Sequence, residues 1–319
     1  MKRILITGGS GFIGTNLLEK FIRQDFKVLN IDINEPKAID HMKYWVNVDI
    51  TNFEVLQKSI HAFDPNYIIH LAARTDIEGL SIDDYKVNTV GVKNVMDIAR
   101  EIDSLEKIII TSSMLVCSVN HLPIDQFDYS PTTIYGESKV QTEKIVWANP
   151  LECDWAIIRP TSIWGPWFHV PYKNFFDLVM GNKYFHLGYK SCTKTYGYVE
   201  NSIFQIEKIL FAETKEESNK VFYIGDYEST NIENWANEIA HELGVSIKRL
   251  PFLLIKILAY LGDTLKLVNI NFPMNSFRLK NMTTDNNVNL SSTFEIAPNL
   301  PYSRVEGVKR TINWLKKDK

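Results

Sequence analysis

The chain has 319 residues, 45% hydrophobic and 23% charged, with a formal net charge of −3. That length suits one large domain or two closely packed ones, and the slight negative balance removes the electrostatic case for nucleic acid. Cys117, Cys153 and Cys192 fit neither a zinc spacing nor a disulfide framework, and the seven histidines form no ligand motif, so a reducing cytoplasmic setting and no metal are expected.

The chain opens on an apolar strand, residues 2–7, which leaves no room for a signal peptide. Thr7-Gly8-Gly9-Ser10-Gly11-Phe12-Ile13-Gly14 follows and leads into an apolar helix face at 12–24. Three glycines between a strand and a helix allow a tight turn and close approach of a ligand's phosphates. The helix N-terminus offers free N–H groups and partial positive charge to a pyrophosphate. The second strand, 27–31, ends at Asp32, 18 residues beyond Gly14. A carboxylate there accepts from both hydroxyls of an adenosine ribose and repels a 2′-phosphate, which favours NAD. Lys37 is the feature that keeps NADP open.

Strands at 67–71, 107–112 and 154–159 alternate with helices at 51–61, 84–101 and 134–148, a pattern that predicts an α/β fold with a doubly wound parallel sheet. His70, ending its strand, reads as a satisfied core residue. After Arg159-Pro160 the character changes. Residues 164–198 are dense in aromatics, read as the core of a smaller lobe or as stacking surfaces of a pocket. A strand at 221–225 and helices at 231–243 and 304–317 complete the chain. The expected division is a Rossmann domain over 1–165, with 194–225 returning to it, and a substrate lobe over 166–193 and 226–319. The apolar run 250–262, interrupted by Lys256, is too short to span a bilayer. It is a buried or partner-facing helix, or a surface attachment to a membrane.

Tyr135 and Lys139 stand four residues apart near a helix start, on one face. An ammonium beside a phenol favours tyrosinate, so Tyr135 could exchange a proton with a substrate hydroxyl. Ser113 follows a strand end, where ligands of open parallel sheets bind.

These motifs, in order, resemble the extended short-chain dehydrogenases/reductases, specifically the NAD-dependent epimerase/dehydratase group acting on nucleotide sugars. Thr7–Gly14 resembles its glycine loop (Gly8, Gly11, Phe12, Ile13, Gly14). Asp49-Ile50 is similar to its acidic–aliphatic pair near the adenine, and His70-Leu71-Ala72-Ala73 to its H-x-A-A segment. Asn88 resembles its structural asparagine, Ser113, Tyr135 and Lys139 its catalytic set, and Arg159-Pro160 through Gly165-Pro166 and residues 306–314 its later motifs. Met114-Leu115 stand where family dehydratases place Asp-Glu, so water elimination is not expected. Lys194 replaces the usual pyrophosphate-binding Arg before the strand at 196–199, and Arg278 lies close to a second such position. Lys190 and Arg304 are further cationic candidates.

The resemblance implies an NAD-dependent nucleotide-sugar epimerase acting at C4 through a 4-keto sugar, and a homodimer is the expected assembly. A 4-keto-sugar reductase or dehydrogenase, and a reductase of a hydrophobic hydroxy/keto substrate, are the alternatives. Expected substrate contacts are Ser113, Lys194 and Arg278, with Trp167, Tyr172 and Phe176 walling the base or sugar.

Overall fold

The structure, a computed structural model, describes residues 1–188, 191–212, 220–267, 270, 272 and 274–317. Its helices, in chain order, are α1 (Phe12–Arg23), α2 (Phe53–Phe63), α3 (Val92–Ala99), α4 (Ile134–Ala148), α5 (Tyr172–Met180), α6 (Val199–Leu210), α7 (Ile232–Leu243), α8 (Phe252–Leu267), α9 (Ser276–Thr283), α10 (Ser291–Ile296) and α11 (Arg304–Lys317). The described residues divide into two compact units. One holds Met1–Ile163, Gly197–Gly225 and Asn289–Pro301, and the other Trp164–Tyr196, Asp226–Val288 and Tyr302–Lys319.

The first unit is built on a seven-stranded sheet. Its strands are β1 (Arg3–Thr7), β2 (Lys27–Asp32), β3 (Trp45–Asn47), β4 (Tyr67–His70), β5 (Lys107–Thr111), β6 (Asp154–Pro160) and the edge strand Lys220–Ile224. From one edge the order runs 220–224, β6, β5, β4, β1, β2, β3, every pair parallel. Strand side chains alternate between faces. Leu5, Ile68, Ile108, Ile110 and Ile157 join one core with α2, α3 and α4. Their neighbours Ile4, Ile6, Ile69, Ile109 and Ile158 are equally buried. Apolar residues at every position are what a parallel sheet covered on both faces requires. The strand order reverses direction beside β1, and the carboxyl ends of β1 and β4 open the crevice where ligands of such sheets bind.

The predicted helix at 84–101 is broken. A 3₁₀ turn covers Ile82–Tyr85 and a π turn Val87–Gly91 before α3 begins. The short β3, and helices α5, α6, α9 and α10, lay beyond the sequence pattern.

The second unit is organised by aromatic rings. Phe175 stacks on Trp235 at 4.6 Å between centroids, and Phe176, Trp164 and Tyr196 also pack on Trp235. α5 and α11 both pack on α7. The strand Phe185–Gly188 pairs in parallel with Lys248–Pro251, which feeds directly into α8.

Candidate active site

β1 ends at Thr7, and the chain turns through Gly8 at φ +74°. A Cβ on Gly8 would lie 2.6 Å from the Ala72 nitrogen, and one on Gly14 would lie 2.3 Å from the Gly8 carbonyl. Both positions therefore require glycine, by backbone conformation and close approach respectively. Gly11 caps α1 without a side-chain acceptor, and the first turn, begun by half-buried Phe12 and Ile13, carries no acidic residue. An uncapped helix N-terminus behind a glycine cradle fits a pyrophosphate.

Asp32, at the end of β2, reaches back to this loop. Its Oδ2 accepts from the Ser10 N–H at 3.0 Å and its Oδ1 from the Asn34 N–H at 2.9 Å. The loop's position is thus tied to the Asp32 carboxylate. Sequence reasoning missed Asn30, which is fully buried beneath Gly9 and donates to Ser10 Oγ at 3.1 Å. A lone amide in the apolar run Val28-Leu29-Asn30-Ile31 was the available signal.

His70 Nδ1 lies 2.7 Å from Thr7 Oγ1. Burial, with a smaller contribution from the Lys139 ammonium, pushes its pKa down to about 3, so the ring is neutral. Leu71 and Ala72 follow across the end of β1, their N–H groups donating to the Thr7 carbonyl at 2.9 Å and Thr7 Oγ1 at 3.3 Å. Half-buried Ala73 continues the segment beside the cradle. Asp49 closes a local turn, accepting from the Thr51 N–H and hydroxyl at 2.8 Å each. Buried Ile50 fills the space over Gly91.

Asn88, in the π turn, is completely buried. Its Oδ1 accepts from the Arg74 N–H at 2.8 Å, and its Nδ2 donates to the Arg74 carbonyl and to Ser138 Oγ at 2.9 Å each. It braces the segment after Ala73 against α4. A π turn widens the helix locally, a device frequent at functional sites.

α4 carries the proton-transfer candidates. Thr133 caps it, accepting from the Gly136 N–H at 2.9 Å. A Cβ on Gly136 would lie 2.3 Å from the Leu115 carbonyl, so the first turn of α4 presses on the turn that follows Ser113. Tyr135 is buried beside Tyr85, with ring centroids 6.0 Å apart. Ser113 Oγ accepts from the Leu115 N–H at 3.1 Å and keeps its O–H to donate. Lys139 is buried and donates to the Thr111 carbonyl at 3.0 Å. Burial, opposed by the Glu143 carboxylate, pushes its pKa down to about 8. Met114 and Leu115 form the 3₁₀ turn after Ser113 and bring no acid or base to it.

A second feature lay outside the sequence reading. Glu143, one turn beyond Lys139, is fully buried and saturated. Its Oε1 accepts from Ser112 Oγ at 2.5 Å and Arg159 Nε at 2.8 Å, and its Oε2 from Arg159 Nη2 at 2.7 Å and the Tyr129 hydroxyl at 2.9 Å. Arg159 also donates to the Tyr223 hydroxyl at 3.1 Å and the Gln126 carbonyl at 2.7 Å. Burial opposes the guanidinium charge, but the Glu143 carboxylate overrides it and raises the Arg159 pKa. This ion pair joins the end of β5 to α4 and β6. Its signal was a carboxylate four residues after Lys139 on the same helix face.

The substrate candidates of the second unit lie in different settings. Trp167 is half-buried at φ +71°, a conformation rare for a bulky residue, with its ring 5.6 Å from Trp314. Half-buried Tyr172 meets Tyr196 edge to face at 5.9 Å. Phe176 is wholly buried among Trp164, Phe168, Phe175 and Trp235. Lys194 is half-buried on a two-residue strand paired with Thr230–Asn231, and burial lowers its pKa despite Cys192 and Asp285. Arg278 is exposed on α9. Arg304 is engaged by both carboxylate oxygens of Glu238, at 2.9 and 2.7 Å. Lys190 lies outside the described residues.

A family model described as "NAD dependent epimerase/dehydratase family" matches residues 4–217. The chain is 28% identical to the N-acetyl-alpha-D-glucosaminyl-diphospho-ditrans,octacis-undecaprenol 4-epimerase of Escherichia coli O157:H7, over 98% of this chain and 94% of that protein. It is 28% identical to the UDP-glucose 4-epimerase of Vibrio cholerae, over 78% of each. The fold is shared with the UDP-glucose 4-epimerase of Thermotoga maritima at a TM-score of 0.77, with 18% identity and 99% of both chains covered. The chain belongs to the NAD-dependent epimerase/dehydratase family, and it is an enzyme of the extended short-chain dehydrogenase/reductase type that uses NAD.

Proposed function

We propose that the protein interconverts C4 epimers of a sugar carried on a diphosphate, with a nucleoside diphosphate sugar as its substrate. The observation that carries this reading is the placing of Tyr135, Lys139 and Ser113. Gly136 lets the first turn of α4 press on the turn after Ser113, and a backbone carbonyl at the end of β5 holds Lys139. Bound NAD supplies reversible hydride acceptance at the sugar carbon.

The chain's own residues manage the proton. The buried Lys139 ammonium favours the tyrosinate form of Tyr135, which takes the proton of the C4 hydroxyl and returns it after the 4-keto sugar has presented its other face. The Ser113 O–H donates to the reacting oxygen. The absence of an acid–base pair at Met114-Leu115 separates this chemistry from dehydration. Lys194 and Arg278 are the proposed diphosphate contacts, Trp167 and Tyr172 the proposed apolar walls, and a cytoplasmic homodimer the proposed assembly.

A second carrier is favoured by one observation. The Escherichia coli relative, aligned over 98% of this chain, is named for a sugar on an undecaprenyl diphosphate. Both carriers present the same diphosphate-linked sugar to Tyr135.

The test incubates the NAD-loaded enzyme with UDP-, dTDP-, GDP- and CDP-sugars and with a polyprenyl diphosphate sugar, reading C4 configuration by NMR. Inversion without net cofactor consumption is expected. Stoichiometric oxidation of added NADH without inversion would make the protein a reductase. Equal turnover of a steroid-like alcohol would overturn the sugar assignment.

A further inference from the structure

α8 is predominantly apolar, broken only by Lys256, Asp263, Thr264 and Lys266. One face is spent on packing: Ile255, Ala259 and Met274 form a buried cluster with Leu187, joined by Leu279 and Met282 of α9. A Cβ on Gly262 would lie 1.8 Å from the Met274 carbonyl, and Asp263 Oδ1 accepts from the Ser276 N–H at 3.1 Å. α8 and α9 are therefore locked together by a close approach and a buried seam.

The opposite face is bare. Leu253, Ile257, Tyr260 and Leu267 recur at helical spacing, exposed to 71%, 57%, 68% and 85% respectively, and Phe277 of α9 is also exposed. A solvent-facing helix stripe is normally polar, and a contiguous apolar patch on a folded surface marks an interaction site. Charge says what covers it. Over residues 248–283 there are six cations, Lys248, Arg249, Lys256, Lys266, Arg278 and Lys280, and one carboxylate, Asp263, in a chain of net charge −3; Arg249 is paired with Glu233 from outside this stretch. Asp263 is turned inward to the Ser276 N–H, whereas Lys248, Lys256, Lys266 and Lys280 are exposed.

We propose that the α8–α9 face seats this enzyme on an anionic membrane surface, α8 lying along the boundary between headgroups and acyl chains with its lysines among the phosphates. An apolar stripe flanked by lysines complements an anionic bilayer in both of its layers. A second copy docked face to face would instead bring two cationic margins together. Among the described residues no helix is long and apolar enough to cross a membrane, so the contact is interfacial. It holds whether the sugar carrier is a nucleotide or a polyprenol.

The full-length protein should be sedimented with phosphatidylcholine vesicles, with and without phosphatidylglycerol, across a salt series. Parent protein is expected to bind the mixed vesicles, to bind pure phosphatidylcholine more weakly, and to release as salt rises. Ile257→Glu and Tyr260→Glu, at exposed positions, should each lower the partition coefficient roughly tenfold or more with an unchanged thermal midpoint. Lys256→Glu should lower binding to the mixed vesicles alone. Failure of the parent to bind, or equal binding by the glutamate variants, overturns the proposal. So does a dimer, read by light scattering, that Ile257→Glu dissociates without any vesicle binding by the parent. Vesicle binding is read without turnover, so its failure and a failure of the epimerase assignment are separable.

Discussion

The site candidates of the first unit hold one another through hydrogen bonds, whereas those singled out in the second unit are dispersed between core and surface. Around the glycine loop, Asp32 fixes Ser10, Thr7 meets His70 and Ala72, and Asn88 ties Arg74 to Ser138. Around the aromatic cluster, Phe176 is pure core, Trp167 is half-buried, and Arg278 lies on an exposed helix. The difference teaches where single substitutions act. In the first unit they should break chemistry or folding, because Thr7, His70, Asn88 and Ser138 are buried and hydrogen-bonded within the unit. In the second they should alter substrate affinity and leave the chemical step intact.

The largest expected effect sharpens that contrast at its centre. Tyr135→Phe should lower kcat about 10²–10⁴-fold with NAD binding retained, since general acid–base groups contribute on that scale. Rapid-quench turnover and cofactor titration check it, and a variant within a few fold of the parent would show that another residue moves the proton.

Next comes the buried pair. Glu143→Leu leaves the Arg159 guanidinium uncompensated and should cost about 3–5 kcal/mol of stability, measured by urea unfolding. Replacing Glu143 and Arg159 together with apolar residues should recover much of that loss. A single variant as stable as the parent would mean that the network holds β5 to α4 only weakly.

In the second unit, Lys194→Ala should raise KM roughly ten- to a hundredfold and leave kcat unchanged, because a charge-assisted hydrogen bond to a phosphate is worth about 1.5–3 kcal/mol. A loss confined to kcat would place Lys194 with the chemistry and break the comparison.

The smallest effect is a pH dependence. The folded-state pKa of His70 is depressed to about 3 from an ordinary 6.5, so its stabilising contribution is present above 6.5 and fades as pH falls toward 3. At pH 5 the unfolded chain is protonated and the folded one is not, which costs the parent about 2 kcal/mol. His70→Asn should lose correspondingly less stability between pH 7.5 and pH 5 in paired denaturation curves.

Legibility in the sequence followed the range of the forces involved. The glycine loop, Asp32 at the strand end and the Tyr135/Lys139 spacing are local patterns, set by backbone geometry within one turn, and each was readable in the sequence. Strands read as apolar runs because a parallel sheet covered on both faces leaves no polar position in them. The helix at 84–101 was legible as a helix but not as a broken one, since its π turn is held open by Asn88 bonding to Arg74 and Ser138, both remote in sequence.

By itself, then, the sequence determined the parallel α/β scaffold, the glycine loop between β1 and α1 and the spacing of Tyr135 and Lys139 on α4, because these depend on periodicity and on residues a few positions apart. Only the tertiary structure decided that Glu143 spends its charge on Arg159 and that Phe176 is core. It also decided that α8 buries one apolar face and leaves the other bare. A side chain's partner is chosen by what the fold brings against it, and that choice is made across tens or hundreds of residues by packing and desolvation.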